Sequence, residues 1–240
     1  MKKFMLITLV ICFLFTACSS LGNQKTLETK PEGADSVDEA PESSLHQEIS
    51  SGTEQAATAS PIYPLPDHTM DNLSDAILSI SLEEGNVSVD STGEMQMNVT
   101  IYTYDKYDLV DVSRLKVGDT LVTHAGEVEI TAIEREQNGN ILINGGLYED
   151  GVTLITDETG VFYESGYNDA KNWYETGVAT IGVSADFVYR DTSDLDRGEI
   201  LYDSDSFLSG EVTDYHFTPY NTTIRVENDR IIEMYRVYIP

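Results

Sequence analysis

From Asp67 onward, apolar and polar residues alternate one by one over stretch after stretch. A period of two is the spacing of strands with one face in a core and the other in water. Leu78, Ile80 and Leu82 alternate with Ser79, Ser81 and Glu83, and Met95, Met97, Val99 and Ile101 alternate with Gln96, Asn98, Thr100 and Tyr102. Segments 120–124 and 127–136 face each other around Ala125-Gly126, and Asn138-Gly139 turns the second into 141–144. Asn-Gly favours that turn because both residues tolerate positive φ. Segments 152–156 and 161–164 flank a turn ending at Gly160, and 180–190 places Ile181, Val183, Ala185, Phe187 and Tyr189 on one face. Segments 222–226 and 231–239 form a terminal hairpin. Helical signals are confined to 73–77 behind Asp71 and 168–175 before Gly177. Many short strands separated by turn residues predict an all-β domain over residues 67–240, a single β-sandwich or β-barrel of about ten strands.

The chain carries 42 acidic residues against 14 Lys plus Arg, a net charge of -28. A field of that sign repels phosphate backbones, which excludes nucleic acid as a partner. Hydrophobic residues make up 40% of the chain, enough to build a core without help from disulfides. The two cysteines, Cys12 and Cys18, both lie near the amino terminus, so the strand-rich region has none to pair.

The amino terminus has a different logic. Lys2 and Lys3 precede an apolar run from Phe4 to Phe15 interrupted only by Thr8, followed by the small pair Thr16-Ala17. That is the layout of an export signal over residues 1–17, and the run is too short to span a bilayer, which takes about 20 residues. Phe15-Thr16-Ala17-Cys18 resembles the lipobox of bacterial lipoproteins. The resemblance implies cleavage before Cys18, a diacylglyceryl group on its sulfur, and a place at the extracytoplasmic face of the cell membrane. Two acyl chains hold where one is marginal, since each buried methylene contributes about 0.8 kcal/mol. Residues 19–66 are rich in Ser, Thr, Glu, Ala and Pro with no strand or helix period, and hold eight acidic residues against Lys25 and Lys30. With Cys18 they form a disordered acidic tether, reaching about 40 Å and ending at the Pro-rich piece 61–66.

Chemistry is sparse. No zinc-protease, thiol-pair, nucleophile-elbow, phosphate-loop or dinucleotide motif is present, so no catalytic residue is assigned. His124 reads as a partly exposed hairpin histidine. The densest stretch of functional side chains is 162–174, which concentrates five aromatics, including the chain's single Trp, with amides and charges. Tyr163, Tyr167, Asn168, Asp169, Lys171, Asn172, Trp173 and Tyr174 are the candidate ligand contacts: rings stack on a sugar or peptide while amides and charges supply hydrogen bonds. The competing reading makes Trp173 a plug closing the barrel interior. Tyr102, Tyr104 and Tyr107 form a lesser aromatic group. Asp191, Asp194, Asp196, Glu199 and Asp203 are candidate ligands for a calcium ion, which takes six to eight oxygens from such loops. The expectation is therefore a membrane-anchored, non-catalytic binding or accessory module for a glycan or peptide. The alternatives are a glycan hydrolase using paired carboxylates and a calcium-stabilised scaffold domain.

Overall fold

A computed structural model describes residues 60–68 and 70–239; the export signal, Cys18 and nearly all of the tether lie outside them. The chain forms β1 (Ala76–Ser81), β2 (Val87–Val89), β3 (Met95–Thr103), β4 (Lys106–Tyr107), α1 (Leu109–Arg114), β5 (Thr120–Thr123), β6 (Gly126–Glu129), β7 (Ile133–Arg135), β8 (Ile141–Ile143), β9 (Val152–Thr156), β10 (Phe162–Glu164), β11 (Tyr174–Thr192), β12 (Ile200–Tyr202), α2 (Ser204–Ser209), β13 (Thr222–Glu227) and β14 (Arg230–Val237). The protein is all-β, as the alternation predicts, and of the two predicted architectures it is the barrel.

Five strands close the barrel in the order β1-β3-β11-β14-β13 and back to β1. Every pairing is antiparallel except β11 with β14. Counted along the chain, the order is first, second, third, fifth, fourth, a Greek-key closure of the OB type. Such barrels host many activities, so the architecture alone assigns none. Closure depends on the length of β11, whose first half runs along β3 and whose second half runs along β14. Between the halves the register shifts from Val183 to Val188, and Ala185, expected on the inward face, is exposed there.

Alternation fills the interior. Leu78 and Ile80 of β1, Met95, Met97, Val99 and Ile101 of β3, Ile224 and Val226 of β13, and Ile231 and Met234 of β14 all point inward and are buried. Phe187, Tyr189, Phe207 and Phe217 extend the core as an aromatic cluster in edge-on and tilted contacts. Phe207 is carried by α2, a short helix started by the Asp203 carboxylate, which accepts from Ser206 N–H, and stopped by Gly210 in the left-handed conformation.

The connection from β3 to β11 holds a second lobe with its own core. Its five-stranded sheet runs β4-β10-β9-β8-β7, beside the hairpin β5-β6. Tyr107, Val112, Leu115, Leu121, Ile130, Ile141, Ile143, Leu154 and Phe162 are buried together in it. The Pro-rich piece before Asp67 belongs to this lobe: Ile62 bridges to Leu121, and Leu65 N–H donates to Lys106 O at 2.6 Å. The folded region thus begins before Asp67.

Both predicted helices are corrected. Residues 73–77 lead straight into β1, whose apolar alternation outweighs the cap signal at Asp71. Residues 168–175 contain one 3₁₀ turn at Tyr167–Asp169, where Asn168 and Asp169 take positive φ, and then the start of β11. The strand expected over 127–136 breaks into β6 and β7. Among the described residues, no helix is long and apolar enough to cross a membrane.

A lysine-aromatic ledge backed by an acid-histidine cluster

At two of the places where the chain passes between barrel and lobe, residues 104–106 and 171–174, alternation sends neighbouring side chains to opposite faces. Tyr104, Lys106, Lys171 and Trp173 go to one face, joined by Tyr163 of β10. Trp173 meets Tyr104 edge-on at 4.7 Å between centroids, and Tyr163 meets it edge-on at 6.1 Å. Lys171 Nζ sits over the Tyr104 ring at 4.4 Å, and Lys106 Nζ lies 5.1 Å from the same centroid. The chain has only three lysines beyond residue 66, so two of the three share one tyrosine. Lys106 also pairs with Asp67 at 3.0 Å. Burial alone would raise the Asp67 pKa, but the hydrogen bond from Thr103 and the Lys106 ammonium hold it below the usual carboxylate range. The ledge borders a cleft of about 180 Å³ that also touches Tyr102 and Ser79.

Trp173 belongs to neither buried cluster and is half-buried, so it is not the barrel plug. Phe207, carried by α2, is instead buried in the barrel's core cluster.

The opposite face holds Asp105, His124, Glu164, Asn172 and Tyr174. Phe162 pairs with Tyr107 and Tyr163 with Lys106, so Glu164 falls across from Asp105, and its N–H donates to Asp105 O at 3.2 Å. Directly opposed residues share a face, and like charges there repel. The hairpin β5-β6 brings in His124, whose N–H donates to Asp105 Oδ2 at 2.6 Å. His124 Nδ1 lies 3.2 Å from Asp105 Oδ2 and 3.7 Å from Glu164 Oε2. The outer atoms are held by neighbours: Tyr174 OH donates to Asp105 Oδ1 at 3.0 Å, and Asn172 Nδ2 donates to Glu164 Oε1 at 2.8 Å. The imidazole stacks on the Tyr174 ring at 4.2 Å and 13°. Glu164 Oε2 is buried with no hydrogen-bond partner among the described residues. Burial pushes the Glu164 carboxyl up, the Asn172 hydrogen bond and His124 pull it down, and the adjoining Asp105 adds to the rise, which prevails. Burial beside Asp105 likewise raises the Tyr174 phenol, keeping it a donor.

The eight predicted contacts therefore divide. Tyr163, Lys171 and Trp173 form the ledge, Asn172 and Tyr174 turn inward to the cluster, and Tyr167, Asn168 and Asp169 lie at an exposed tip. Sequence reasoning missed Lys106, Asp67 and Asp105. Tyr104 and Lys106 stand two apart, as do Lys171 and Trp173, and that shared parity was the available signal.

The five acids proposed for calcium do not converge. Asp191 binds Arg236, Glu199 pairs with Arg190 at 3.3 Å, Asp203 caps α2, Asp194 accepts from Asp196 N–H within its own turn, and Asp196 is exposed. Four of the five carboxylates are thus committed to a turn, a helix cap or an arginine, and the fifth faces solvent. Comparison with known proteins finds no matching family model, no similar curated protein and no similar solved structure.

Proposed function

We propose that the protein is a lipid-anchored, extracytoplasmic binding module, non-catalytic, whose ligand is a glycan held on the Tyr104–Lys171–Trp173 ledge. The observation that carries this reading is charge placement. Residues 67–240 hold 34 acidic side chains and ten basic ones, yet two lysines gather on a single aromatic platform. A sugar ring offers an apolar face to Trp173 and Tyr104, while Lys106, Lys171 and Asp67 meet its hydroxyl or carboxylate groups. Paired-carboxylate hydrolysis is less well supported, because the closest opposed pair, Asp105 and Glu164, has one member only 1% exposed. Their facing oxygens also lie within 4.8 Å of one another, closer than the about 5 to 9.5 Å that retaining and inverting hydrolysis use.

Anchoring rests on Cys18 and its lipobox. The acidic tether between Cys18 and the Pro-rich piece lifts the module from a negatively charged surface that would otherwise repel it.

The test is retention of the full-length chain on immobilised cell-wall and dietary polysaccharides. Trp173→Ala and Lys171→Ala should each abolish retention while circular dichroism and the melting temperature stay near wild type. Retention unchanged in both variants would reject the ledge, and capture by peptides in place of glycans would reassign the ligand class. Cys18→Ala should move the protein from the membrane fraction to the soluble fraction.

A further inference from the structure

We infer that Asp105, His124 and Glu164 form a binding site for one divalent transition-metal ion of the zinc and manganese kind, set in the seam between barrel and lobe. The inference stands independently of the ligand proposed for the ledge.

Three donors converge: Asp105 Oδ2, His124 Nδ1 and Glu164 Oε2 offer ligand atoms that all lie within 4.8 Å of one another. A tetrahedral ion with bonds of about 2.05 Å separates its ligands by about 3.3 Å. The separations here from Nδ1, 3.2 Å to Asp105 and 3.7 Å to Glu164, bracket that value. Each carboxylate's other oxygen is already taken, Oδ1 by Tyr174 and Oε1 by Asn172, and the imidazole plane is set by stacking. Partners of that kind, orienting ligands from behind, are what metal sites use.

Charge makes the same demand. Two carboxylates stand opposed on one face, with side chains 1% and 12% exposed, and Glu164 Oε2 is buried with no hydrogen-bond partner among the described residues. A dipositive ion neutralises both acids. The donor set of one imidazole and two carboxylates, without thiolate, suits zinc, manganese or iron(II) better than calcium, which prefers six to eight oxygens. On binding, Nδ1 gives up any proton it carries to solvent and its lone pair goes to the metal.

The three ligands come from different places: Asp105 from the strand leaving the barrel, His124 from the β5-β6 hairpin, and Glu164 from β10. An ion therefore ties three segments whose sequence separation is large, and its position behind Tyr104, Tyr163 and Trp173 fixes the ledge from below.

The experiment uses the metal-stripped full-length chain titrated with zinc alone and then manganese alone, with bound metal counted by elemental analysis and affinity measured by calorimetry. One zinc per chain is expected, together with a higher melting temperature. Glu164→Gln and His124→Ala should each weaken binding more than about 100-fold, and Asn172→Ala by about 10 to 100-fold. Asp194→Asn, in the exposed acidic loop, should leave it unchanged. X-ray absorption of the wild-type complex should show one imidazole nitrogen among oxygen ligands, a readout independent of whether any variant folds. Binding undiminished in Glu164→Gln, calcium bound as tightly as zinc, absence of a stoichiometric ion, or an absorption spectrum without imidazole would each overturn the assignment.

Discussion

Asp191 in the barrel and Asp105 in the seam are both carboxylates largely withdrawn from water, and their surroundings differ. Arg236, only 4% exposed, grips Asp191 with two hydrogen bonds, Nε to Oδ1 at 3.1 Å and Nη2 to Oδ2 at 2.7 Å. Ser193 adds two more, and the guanidinium also donates to Asp214 O and faces Phe217 at 5.1 Å. Asp105 meets a phenol, a backbone N–H, an imidazole and a second carboxylate that it repels. Arg236 serves Asp191 and, at 3.1 Å, the solvent-exposed Asp214 carboxylate, so its one buried acid has a fixed charge of matching geometry, whereas in the seam both acids are withdrawn from water and no Lys or Arg among the described residues pairs with them. Breaking a pair of the first kind strands a buried charge, whereas perturbed acids of the second kind cluster at functional sites, which is the ground for the metal site inferred above.

The largest effect should come from breaking the complete site. Arg236→Met leaves Asp191 buried and unpaired, at a cost of about 3–5 kcal/mol. In a domain this size that lowers the melting temperature by about 10 °C in calorimetry. If it falls by no more than a degree or two, the barrel pair is not the saturated one.

The same substitution strategy should have the opposite sign in the seam. With chelator present, Glu164→Gln removes one of two repelling charges while preserving shape, so the melting temperature should rise as metal binding disappears. A drop would mean that the cluster is already compensated.

Titration sharpens the contrast further. Burial would raise the Asp191 pKa, but Arg236 and Ser193 hold it at about 2, below its ordinary 3.8. Its stabilisation is therefore complete above pH 4 or so and is lost as pH falls toward 2, a contribution of about 1–2 kcal/mol after allowing for solvent screening. Glu164 is shifted upward by burial, so the folded state binds its proton more tightly than the unfolded chain does. Metal-free protein should accordingly gain stability from this group as pH falls through its raised pKa toward its ordinary 4.5. Urea unfolding of wild type and Glu164→Gln across pH 4 to 8 isolates that gain as the difference between the two curves. The smallest stability effect belongs to the ledge: Trp173→Ala, half-exposed and outside both cores, should cost about 1 kcal/mol or less.

The barrel was legible because its strands obey one rule: Met95 to Ile101 and Leu78 to Leu82 alternate without interruption, and all of their apolar members are buried. The break in β11 was not legible, since the register shift between Val183 and Val188 shows only in the pairing with β14 and the alternation runs on through Ala185. Nor could local patterns show the two-lobed layout, because the 104–173 excursion contains strands of the same period as the barrel. At the candidate site the 162–174 stretch drew attention through composition, and Lys171 and Trp173 do share the ledge. Asp105 escaped because its meaning lies in partners 19, 59 and 69 residues away, His124, Glu164 and Tyr174. His124 reads correctly as a hairpin histidine by sequence, and only tertiary pairing turns the hairpin toward two acids.

Because Trp173 is the chain's single tryptophan, its emission reports directly on the surface assigned to the ligand. Titrating the full-length protein with the polysaccharide fragment that binds best should change Trp173 emission saturably, along the same curve as binding measured calorimetrically. Saturable heat with unchanged emission would place the ligand elsewhere on the molecule and contradict the ledge.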